Sequence, residues 1–290
     1  MNYQGNVIRP PSEAHSIILQ VTVGCSHNKC TFCGAYKEVT FAIKDDSVVD
    51  QDIDFAWRYC RRQKMVFLAD GDVLILSQNR LIALFKKIRS RLPWVNRIAL
   101  YANSKAILSK TAAELQELKK LGLHRIYMGL ESGDSEVLRA INKGADPDKM
   151  IRAARRVRQV DIFLSVTVLL GIAGVAGSHR HAKATAAVLA AMAPNQIAAL
   201  TLMVMDNTPL GRRRQAGEFI LPDSRQMLTE LRCLLEHLEV EKPCQFQANH
   251  ASNYLAVNCR LPRDKDKALK DIDAALAGRQ PLRPEFLRAL

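Results

Sequence analysis

The chain has 290 residues, of which 48% are hydrophobic and 24% charged, and it carries a formal net charge of +13. This composition is too apolar for a disordered protein, and the length suits one large α/β domain or two small ones. No stretch reaches the roughly 18 uncharged apolar residues that a membrane-spanning helix needs, so we expect no association with a membrane.

Short apolar runs alternate with longer amphipathic runs along the chain. Such alternation is typical of βα units arranged around a parallel sheet. The predicted strands are 17–23, 65–68, 98–101, 125–130, 163–170 and 197–205. The predicted helices are 47–62, 79–91, 111–121, 135–141 with 147–159, 179–192, 224–238 and 265–276. The sequence therefore predicts about six βα units in a core domain at 1–215, and a C-terminal extension of helices and strands at 216–290 that packs on it.

Polar residues and glycines follow most of the predicted strands. In parallel sheets, functional residues lie in the loops at the carboxyl ends of the strands. The candidates are Cys25, Cys30 and Cys33 after the first strand, Asp70, Gly71 and Asp72 after the second, Asn103 after the third, Glu131 after the fourth and Gly171 after the fifth. We expect these five loops to converge on one site. The structural alternatives are a turn acid at Asp72, a surface ion pair at Glu131, and simple turns at Asn103 and Gly171.

Three cysteines lie within nine residues of one glycine-flanked loop, at Cys25, Cys30 and Cys33. A tetrahedral zinc site would need a fourth ligand, and the nearest candidate, His27, has an awkward spacing. Three thiolates can instead hold three irons of a four-iron cluster and leave the fourth iron open for chemistry. The spacing favours a catalytic cluster, with a zinc site and three inert buried thiols as the alternatives.

The cysteine content and the charge also bear on location and partners. An odd total of seven cysteines favours metal ligation over a disulfide framework. The first fifteen residues contain no apolar signal core, so we expect a cytoplasmic protein. The basic residues are scattered over helix faces, which favours a solvated surface over nucleic-acid binding.

The cysteine loop, with Phe32 directly before Cys33, resembles the cluster loop of the radical S-adenosylmethionine (SAM) superfamily. It is close to the Elp3/MiaB/NifB-like and oxygen-independent coproporphyrinogen oxidase-like members. Residues 128–133 with 141–144, and residues 169–174, resemble the fourth-strand and fifth-strand motifs of those proteins.

Two features depart from the family pattern. The first two cysteines, Cys25 and Cys30, are separated by four residues rather than the usual three. Asp70, Gly71 and Asp72 stand where the family has Gly-Gly-Glu. The Cys-x-x-Cys half of the loop is intact.

The resemblance implies an α/β fold, a partial (β/α)6 TIM-like barrel of the radical SAM type with a short C-terminal extension. It implies an enzyme in which a [4Fe-4S] cluster on Cys25, Cys30 and Cys33 cleaves SAM to a 5′-deoxyadenosyl radical, which abstracts hydrogen from a substrate. An electron donor such as flavodoxin or ferredoxin would reduce the cluster. The implied SAM-binding residues are Phe32 and the backbone near Gly171 at the adenine, Asp72 at the ammonium group, Glu131 at the ribose or methionine part, and Asp70, Gly71 and Asn103 around them.

The substrate is open among a small molecule, a peptide and tRNA. His250 and Asn253 lie in a tail segment dense in hydrogen-bonding groups and are candidate substrate contacts, with a structural role for His250 as the alternative. Cys60 and Cys233 lie within helix patterns, so we expect them in the core rather than on a metal. The alternative function is a non-enzymatic zinc or iron-sulfur binding module with a basic RNA-docking surface.

Overall fold

The structure is a computed structural model that describes residues 1–289. Its strands are β1 (Ile17–Gln20), β2 (Thr22–Val23), β3 (Ala42–Ile43), β4 (Met65–Ala69), β5 (Arg97–Tyr101), β6 (Leu123–Glu131), β7 (Phe163–Leu170), β8 (Gln196–Thr201), β9 (Cys244–Ala248) and β10 (Val257–Leu261). Its α-helices are α1 (Asp46–Tyr59), α2 (Gln78–Arg91), α3 (Ser104–Leu108), α4 (Ala112–Lys120), α5 (Ser135–Ala140), α6 (Pro147–Gln159), α7 (Gly174–Met192), α8 (Pro209–Gln215), α9 (Ser224–His237) and α10 (Lys265–Leu276). None of the helices within residues 1–289 has the length and apolar character needed to cross a membrane.

Eight strands form one mostly parallel sheet in the order β1-β4-β5-β6-β7-β8-β9-β10. β1 is parallel to β4 with Ile17 opposite Val66, and β7 is parallel to β8 with Ser165 opposite Gln196. β10 runs antiparallel to β9 at one edge, and β1 forms the other edge, so the sheet is open. The short strands β2 and β3 form a separate antiparallel pair. The predicted α/β class with six parallel βα strands is confirmed.

The chain divides into two compact units. The first comprises residues 1–28, 33–128 and 156–164, and the second comprises residues 29–32, 129–155 and 165 to the C-terminus. β1 to β5 and α1 to α4 belong to the first unit, and α5, β8 to β10 and α7 to α10 belong to the second. The domain boundary that the sequence predicts after residue 215 stays a prediction.

An aromatic cluster fills one face of the sheet in the first unit. The rings of Phe67, Tyr101 and Tyr127 pack edge to face, with centroids 5.1 to 6.1 Å apart. Ala69 and Ala99 belong to the same cluster, and their small side chains leave room for the rings. Such ring pairs add to the stabilisation that burial of their apolar area provides.

Exposed ion pairs link α1 to α2 in the first unit. The pairs are Arg80–Asp46, Lys87–Asp50 and Arg91–Asp54. Each contributes at most about 1 kcal/mol, because solvent screens charges at the surface. They show that basic residues of this surface are matched with acids where two helices meet.

The C-terminal extension packs within the second unit. α9 contacts α7 and α10, and its apolar face of Leu228, Leu231 and Leu235 is buried as the 3.6-residue spacing predicts. The helix begins with a capping box in which Asp223 and Gln226 each accept a backbone hydrogen bond from the other.

Three predicted elements differ most clearly from the observed ones. The strand predicted at 17–23 is divided, because Thr22–Val23 pairs with β3 instead of continuing in the main sheet. The strand predicted at 197–205 ends at Thr201, since the apolar run continues into a turn that hydropathy does not distinguish from a strand. The helix predicted from residue 179 begins at Gly174, where glycines lower helix propensity and conceal the first turn.

Truncation of Phe67 to alanine is expected to lower the free energy of unfolding by about 3–5 kcal/mol, because it leaves a cavity in the aromatic cluster. Denaturant unfolding followed by circular dichroism measures the change. Phe286, which is 83% exposed, provides the matched control, and Phe286→Ala is expected to cost less than about 0.5 kcal/mol. Equal losses in the two variants would contradict the packing described.

Candidate active site

The polar segment after β4 lies in the first unit and is tied to the start of the cysteine loop. Asp70 is buried and accepts hydrogen bonds from Gln20 Nε2 at 2.7 Å and from the Gly24 backbone N–H at 3.4 Å. The Gly71 N–H donates to the Gly24 carbonyl at 3.1 Å. Burial raises the pKa of Asp70, and its hydrogen bonds oppose that shift. These contacts hold the end of β4 against the residue before Cys25.

Asp72 is completely buried, and its two carboxylate oxygens have different surroundings. Oδ2 accepts hydrogen bonds from Ser26 Oγ at 2.5 Å and from Asn103 Nδ2 at 2.6 Å. Oδ1 is also buried, but it has no hydrogen-bond partner among residues 1–289. Burial raises the pKa of Asp72 to about 6. Because an unpartnered buried carboxylate oxygen is costly, this position suits a bound cationic donor.

Asn103 has two structural tasks that the sequence does not reveal. Its Oδ1 accepts a hydrogen bond from the Ala106 N–H at 2.9 Å and so caps α3. Its Nδ2 donates to Asp72. The side chain therefore links the first turn of α3 to the buried acid. Its role extends beyond the simple turn that was the structural alternative for Asn103.

The three loop cysteines are half-buried, and none of them forms a disulfide. A Cβ atom added to Gly71 would lie 3.1 Å from Cys25 Cβ and 3.3 Å from the Tyr36 ring, so glycine permits the close approach of these residues. Within the described chain, 1–289, no three His, Cys, Asp or Glu side chains are arranged to hold a metal ion. The donor set itself, three partly accessible thiols, has the chemistry that an iron-sulfur cluster requires.

Residues 29–32 of the loop belong to the second unit and are anchored there. The Thr31 N–H donates to the Ile141 carbonyl at 2.9 Å, and the Leu210 N–H donates to the Thr31 carbonyl at 2.9 Å. Phe32 packs against an apolar cluster that includes Leu169 near the end of β7. Phe32 therefore lies close to the strand that leads into Gly171.

Glu131 ends β6 in the second unit with a left-handed backbone, at φ +64°. Its Oε1 forms an ion pair with Lys143 Nζ at 2.8 Å, and both side chains are largely buried. A Cβ atom added to Gly129 would clash with Glu131 Oε1 and lie 3.0 Å from Lys143 Nζ, so glycine makes room for the pair. The ion pair expected as the alternative is present, although it is not on the surface. A contact of Glu131 with SAM stays a prediction.

A buried polar network that the sequence analysis missed supports Gly171. The Gly171 N–H donates to Glu230 Oε1 at 2.7 Å, and Ser178 Oγ donates to Glu230 Oε2. His181 Nε2 lies 3.4 Å from Glu230 Oε1, and His181 Nδ1 is hydrogen-bonded to Ser132 Oγ at 2.7 Å. The network therefore connects the turn after β7 with the residue after β6.

The two titratable groups of this network are both shifted toward their neutral forms. Burial raises the pKa of Glu230 to about 7 and lowers the pKa of His181 to about 4. His181 Nε2 is near Glu230 but makes no hydrogen bond within residues 1–289, so the contact is not a strong ion pair. A sequence signal did exist, because Glu230 falls on the apolar face of α9, between Met227 and Leu234.

The two candidate substrate residues lie in the second unit near β8. Asn253 is buried, donates to the Ala199 carbonyl at 2.9 Å and accepts from Thr201 Oγ1 at 2.7 Å. His250 Nδ1 is 2.9 Å from Ser252 Oγ, and burial lowers the pKa of the imidazole. Asn253 therefore attaches its segment to β8, and contact of either residue with a substrate stays a prediction.

Comparison with known families identifies the superfamily. The model described as the radical SAM superfamily matches residues 19–182, which is more than half of the chain. The chain belongs to the radical SAM superfamily. The matched range contains the three loop cysteines, Asp72, Glu131 and Gly171.

Three solved structures illustrate the likeness in fold. Methylornithine synthase (PylB) is 16% identical with a TM-score of 0.55, over 77% of this chain and 63% of that one. Coproporphyrinogen III oxidase (HemN) from Escherichia coli, a radical SAM enzyme, is 16% identical with a TM-score of 0.57, over 77% and 52%. Methanocaldococcus infernus Elp3 with an N-terminal deletion is 12% identical with a TM-score of 0.53, over 80% and 58%.

The similarity extends to fold only, since these identities are low. This chain spans between 52% and 63% of the length of the three solved chains. No curated protein sequence matches it. Together with the family match, the structures confirm the predicted α/β fold of the radical SAM type with an open sheet.

Glu230→Gln is expected to change how stability depends on pH. The folded protein retains the Glu230 proton between the ordinary pKa of 4.5 and about 7, so rising pH destabilises the fold across this window. Glutamine removes that loss, so the unfolding temperature of the variant should increase relative to wild type as the pH rises through the window. Thermal unfolding at a series of pH values measures the difference.

Glu236→Gln is the control for this experiment, because Glu236 is exposed on the same helix. His181 is present in all three proteins, so its opposite pH dependence does not distinguish them. A pH-independent difference between Glu230→Gln and wild type would show that Glu230 does not titrate in this range.

Proposed function

We propose that the protein is a radical SAM enzyme in which Cys25, Cys30 and Cys33 hold a [4Fe-4S] cluster. The cluster, when bound, supplies the electron that cleaves SAM and starts radical chemistry on a substrate. The main supporting observation is the buried oxygen of Asp72 that has no hydrogen-bond partner among residues 1–289. Its segment is hydrogen-bonded to the start of the cysteine loop, and the chain belongs to the radical SAM superfamily.

Asp72 would bind the ammonium group of SAM through Oδ1. Ser26 and Asn103 hold the other oxygen, so the carboxylate is already oriented before a ligand arrives. A hydrogen bond between an ammonium group and a buried carboxylate is charge-assisted and stronger than a neutral one. Aspartate here does what glutamate does in the usual family motif, with a shorter side chain.

Phe32 and the turn at Gly171 would form the surface for the adenine. The Gly171 N–H donates to Glu230 Oε1, and the Gly171 carbonyl accepts from the Gly174 N–H, which uses one of the two lone pairs of its oxygen. The backbone near Gly171 would approach the adenine closely, with the N–H already engaged. Glu131 Oε1 is engaged by Lys143, which leaves Oε2 as the atom for the ribose or methionine part of SAM.

The remaining assignments are proposals of the same kind. The substrate would be a small molecule, a peptide or tRNA, and flavodoxin or ferredoxin would supply electrons. The protein would act in the reducing cytoplasm, as its odd number of cysteines favours.

Anaerobic reconstitution with iron and sulfide tests the proposed activity. We expect a broad visible absorption that dithionite bleaches, and 5′-deoxyadenosine as a product when SAM is added. One equivalent of zinc, with SAM left intact under strong reductant, would instead support the non-enzymatic binding module.

Cys33→Ala is expected to remove most of the roughly four irons that a reconstituted chain binds, because it deletes one of three thiolate ligands. Cys233→Ala is the matched control, since Cys233 is buried in α9 and burial raises the pKa of its thiol. Iron and sulfide analysis measures the loss without any assay of activity. The same iron content in both variants would refute the ligand assignment.

Asp72→Asn is expected to weaken SAM binding by about tenfold or more, because a neutral amide replaces the charged acceptor. Equilibrium dialysis of the reconstituted protein measures the dissociation constant. In the wild type, affinity should also rise as the pH rises through about 6, where Asp72 ionises, and the variant should lack this dependence.

Asp46→Asn, a change at an exposed acid of the same unit, serves as the control. Iron content should be equal in all three proteins, which separates loss of SAM binding from loss of the cluster. Unchanged affinity in Asp72→Asn would rule out the proposed ammonium contact.

A further inference from the structure

A basic pocket of about 810 Å³ lies in the first unit, away from the residues considered so far. The side chains that give it its positive charge are Arg62, Lys64 and Arg97, and the imidazoles of His15 and His124 also line it. We call it the basic pocket. It does not depend on the proposed function, since none of its residues belongs to the SAM or cluster assignment.

The basic pocket is at the amino ends of four parallel strands. His15 precedes β1, Lys64 precedes β4, Arg97 is the first residue of β5 and His124 is the second residue of β6. Asp70, Asp72 and Asn103 follow the carboxyl ends of β4 and β5, at the opposite end of these strands. Because neighbouring parallel strands all begin at the same end, the fold brings these basic residues together from distant parts of the sequence.

No carboxylate pairs directly with the cations of the basic pocket. Within residues 1–289, no acidic side chain lines the pocket, and Arg62, Lys64 and Arg97 form no ion pair. The acids that act on the pocket are Glu13 and Asp161, through their effect on His124. The exposed ion pairs between α1 and α2 contrast with the pocket, because each of their cations is matched with an aspartate. Like charges held together repel one another, and a bound anion would offset that repulsion.

The pKa of His124 reflects the positive charges near it. Burial lowers its pKa, and the neighbouring guanidinium groups of Arg97 and Arg125 lower it further, against weaker opposition from Glu13 and Asp161. The imidazole is stacked on Phe163, with ring centroids 6.4 Å apart. A ligand with negative charge would reverse the effect of the cations and favour the protonated imidazole.

We propose that the basic pocket binds a small organic phosphate with more than one phosphate group, of the nucleoside diphosphate class. Two guanidinium groups and an ammonium group are the side chains that proteins use to hold phosphate oxygens. The volume is far larger than one inorganic phosphate needs and falls in the range of sites for small organic ligands, about 300–1,000 Å³. Its three cations lie together at one site and not along an extended basic stripe, which favours a small ligand over an extended nucleic acid.

Isothermal titration of the full chain with ADP and with inorganic pyrophosphate tests the proposal. The variant Arg62→Ala/Lys64→Ala changes two exposed side chains, so the fold should be retained, and Arg97→Lys is a conservative second variant. The double variant should weaken both ligands by about tenfold or more, and Arg97→Lys should weaken them less. Wild-type protein that binds neither ligand would overturn the proposal.

The matched control is Lys86→Ala/Lys270→Ala, which removes two exposed cations outside the pocket. This control should bind ADP as tightly as the wild type does. If its affinity for ADP fell as much as that of Arg62→Ala/Lys64→Ala, the loss would reflect net charge and not a site in the pocket. A single-stranded RNA oligonucleotide serves as a third ligand. The proposal would also be overturned if the wild type bound this RNA more tightly than ADP and the double variant lost the RNA binding.

Proton NMR titration of His124 gives a second measurement. Saturating ADP should raise the His124 pKa, because the bound anion stabilises the imidazolium. An unchanged pKa at saturation would place the ligand elsewhere and contradict the assignment.

Discussion

Buried polar groups at the carboxyl ends of the strands need hydrogen-bond partners, and this need determines where the loops of the candidate site lie. Where a parallel strand ends, its chain leaves the sheet, and the polar groups of the next residues must find new partners inside the protein. Asp70 meets this need with the Gly24 backbone, and Glu230 meets it for the Gly171 N–H. A buried group that lost such a partner would cost about 1–3 kcal/mol, so these contacts hold the loops in definite positions. Asp72 Oδ1 stands out because it lacks a partner.

Much of the fold was predictable because its signals are local. The 3.6-residue spacing of apolar residues identified the main helices, and the short apolar runs between them indicated the parallel strands. Among the elements that were not assigned are the strands β9 and β10 and the short helix α3, together with β3 and α8. The first three show why. Their sequences are mixed in polarity. β9 pairs with β8, β10 pairs with β9, and α3 begins at the cap on Asn103, and periodicity does not record such contacts.

The candidate site was predictable to the extent that position after a strand is informative. That rule selected Asp72 and Glu131, and the cysteine spacing selected the loop. It could not supply Ser26 or Lys143 as partners of the two acids, because either acid could have faced solvent instead. Glu230 was missed for a related reason, since it contacts Gly171 from 59 positions away along the chain.

Two opposite demands meet at residue 131. A left-handed backbone is the conformation that glycine adopts most easily, and a side chain there costs roughly 1 kcal/mol or more. The chain nevertheless has a glutamate at this position and the glycine two residues earlier, where it gives the carboxylate space. Selection for thermal stability alone would therefore tend to replace Glu131 with glycine. That replacement would remove the carboxylate that pairs with Lys143. A consensus or stability-guided redesign of this protein should keep position 131 unchanged.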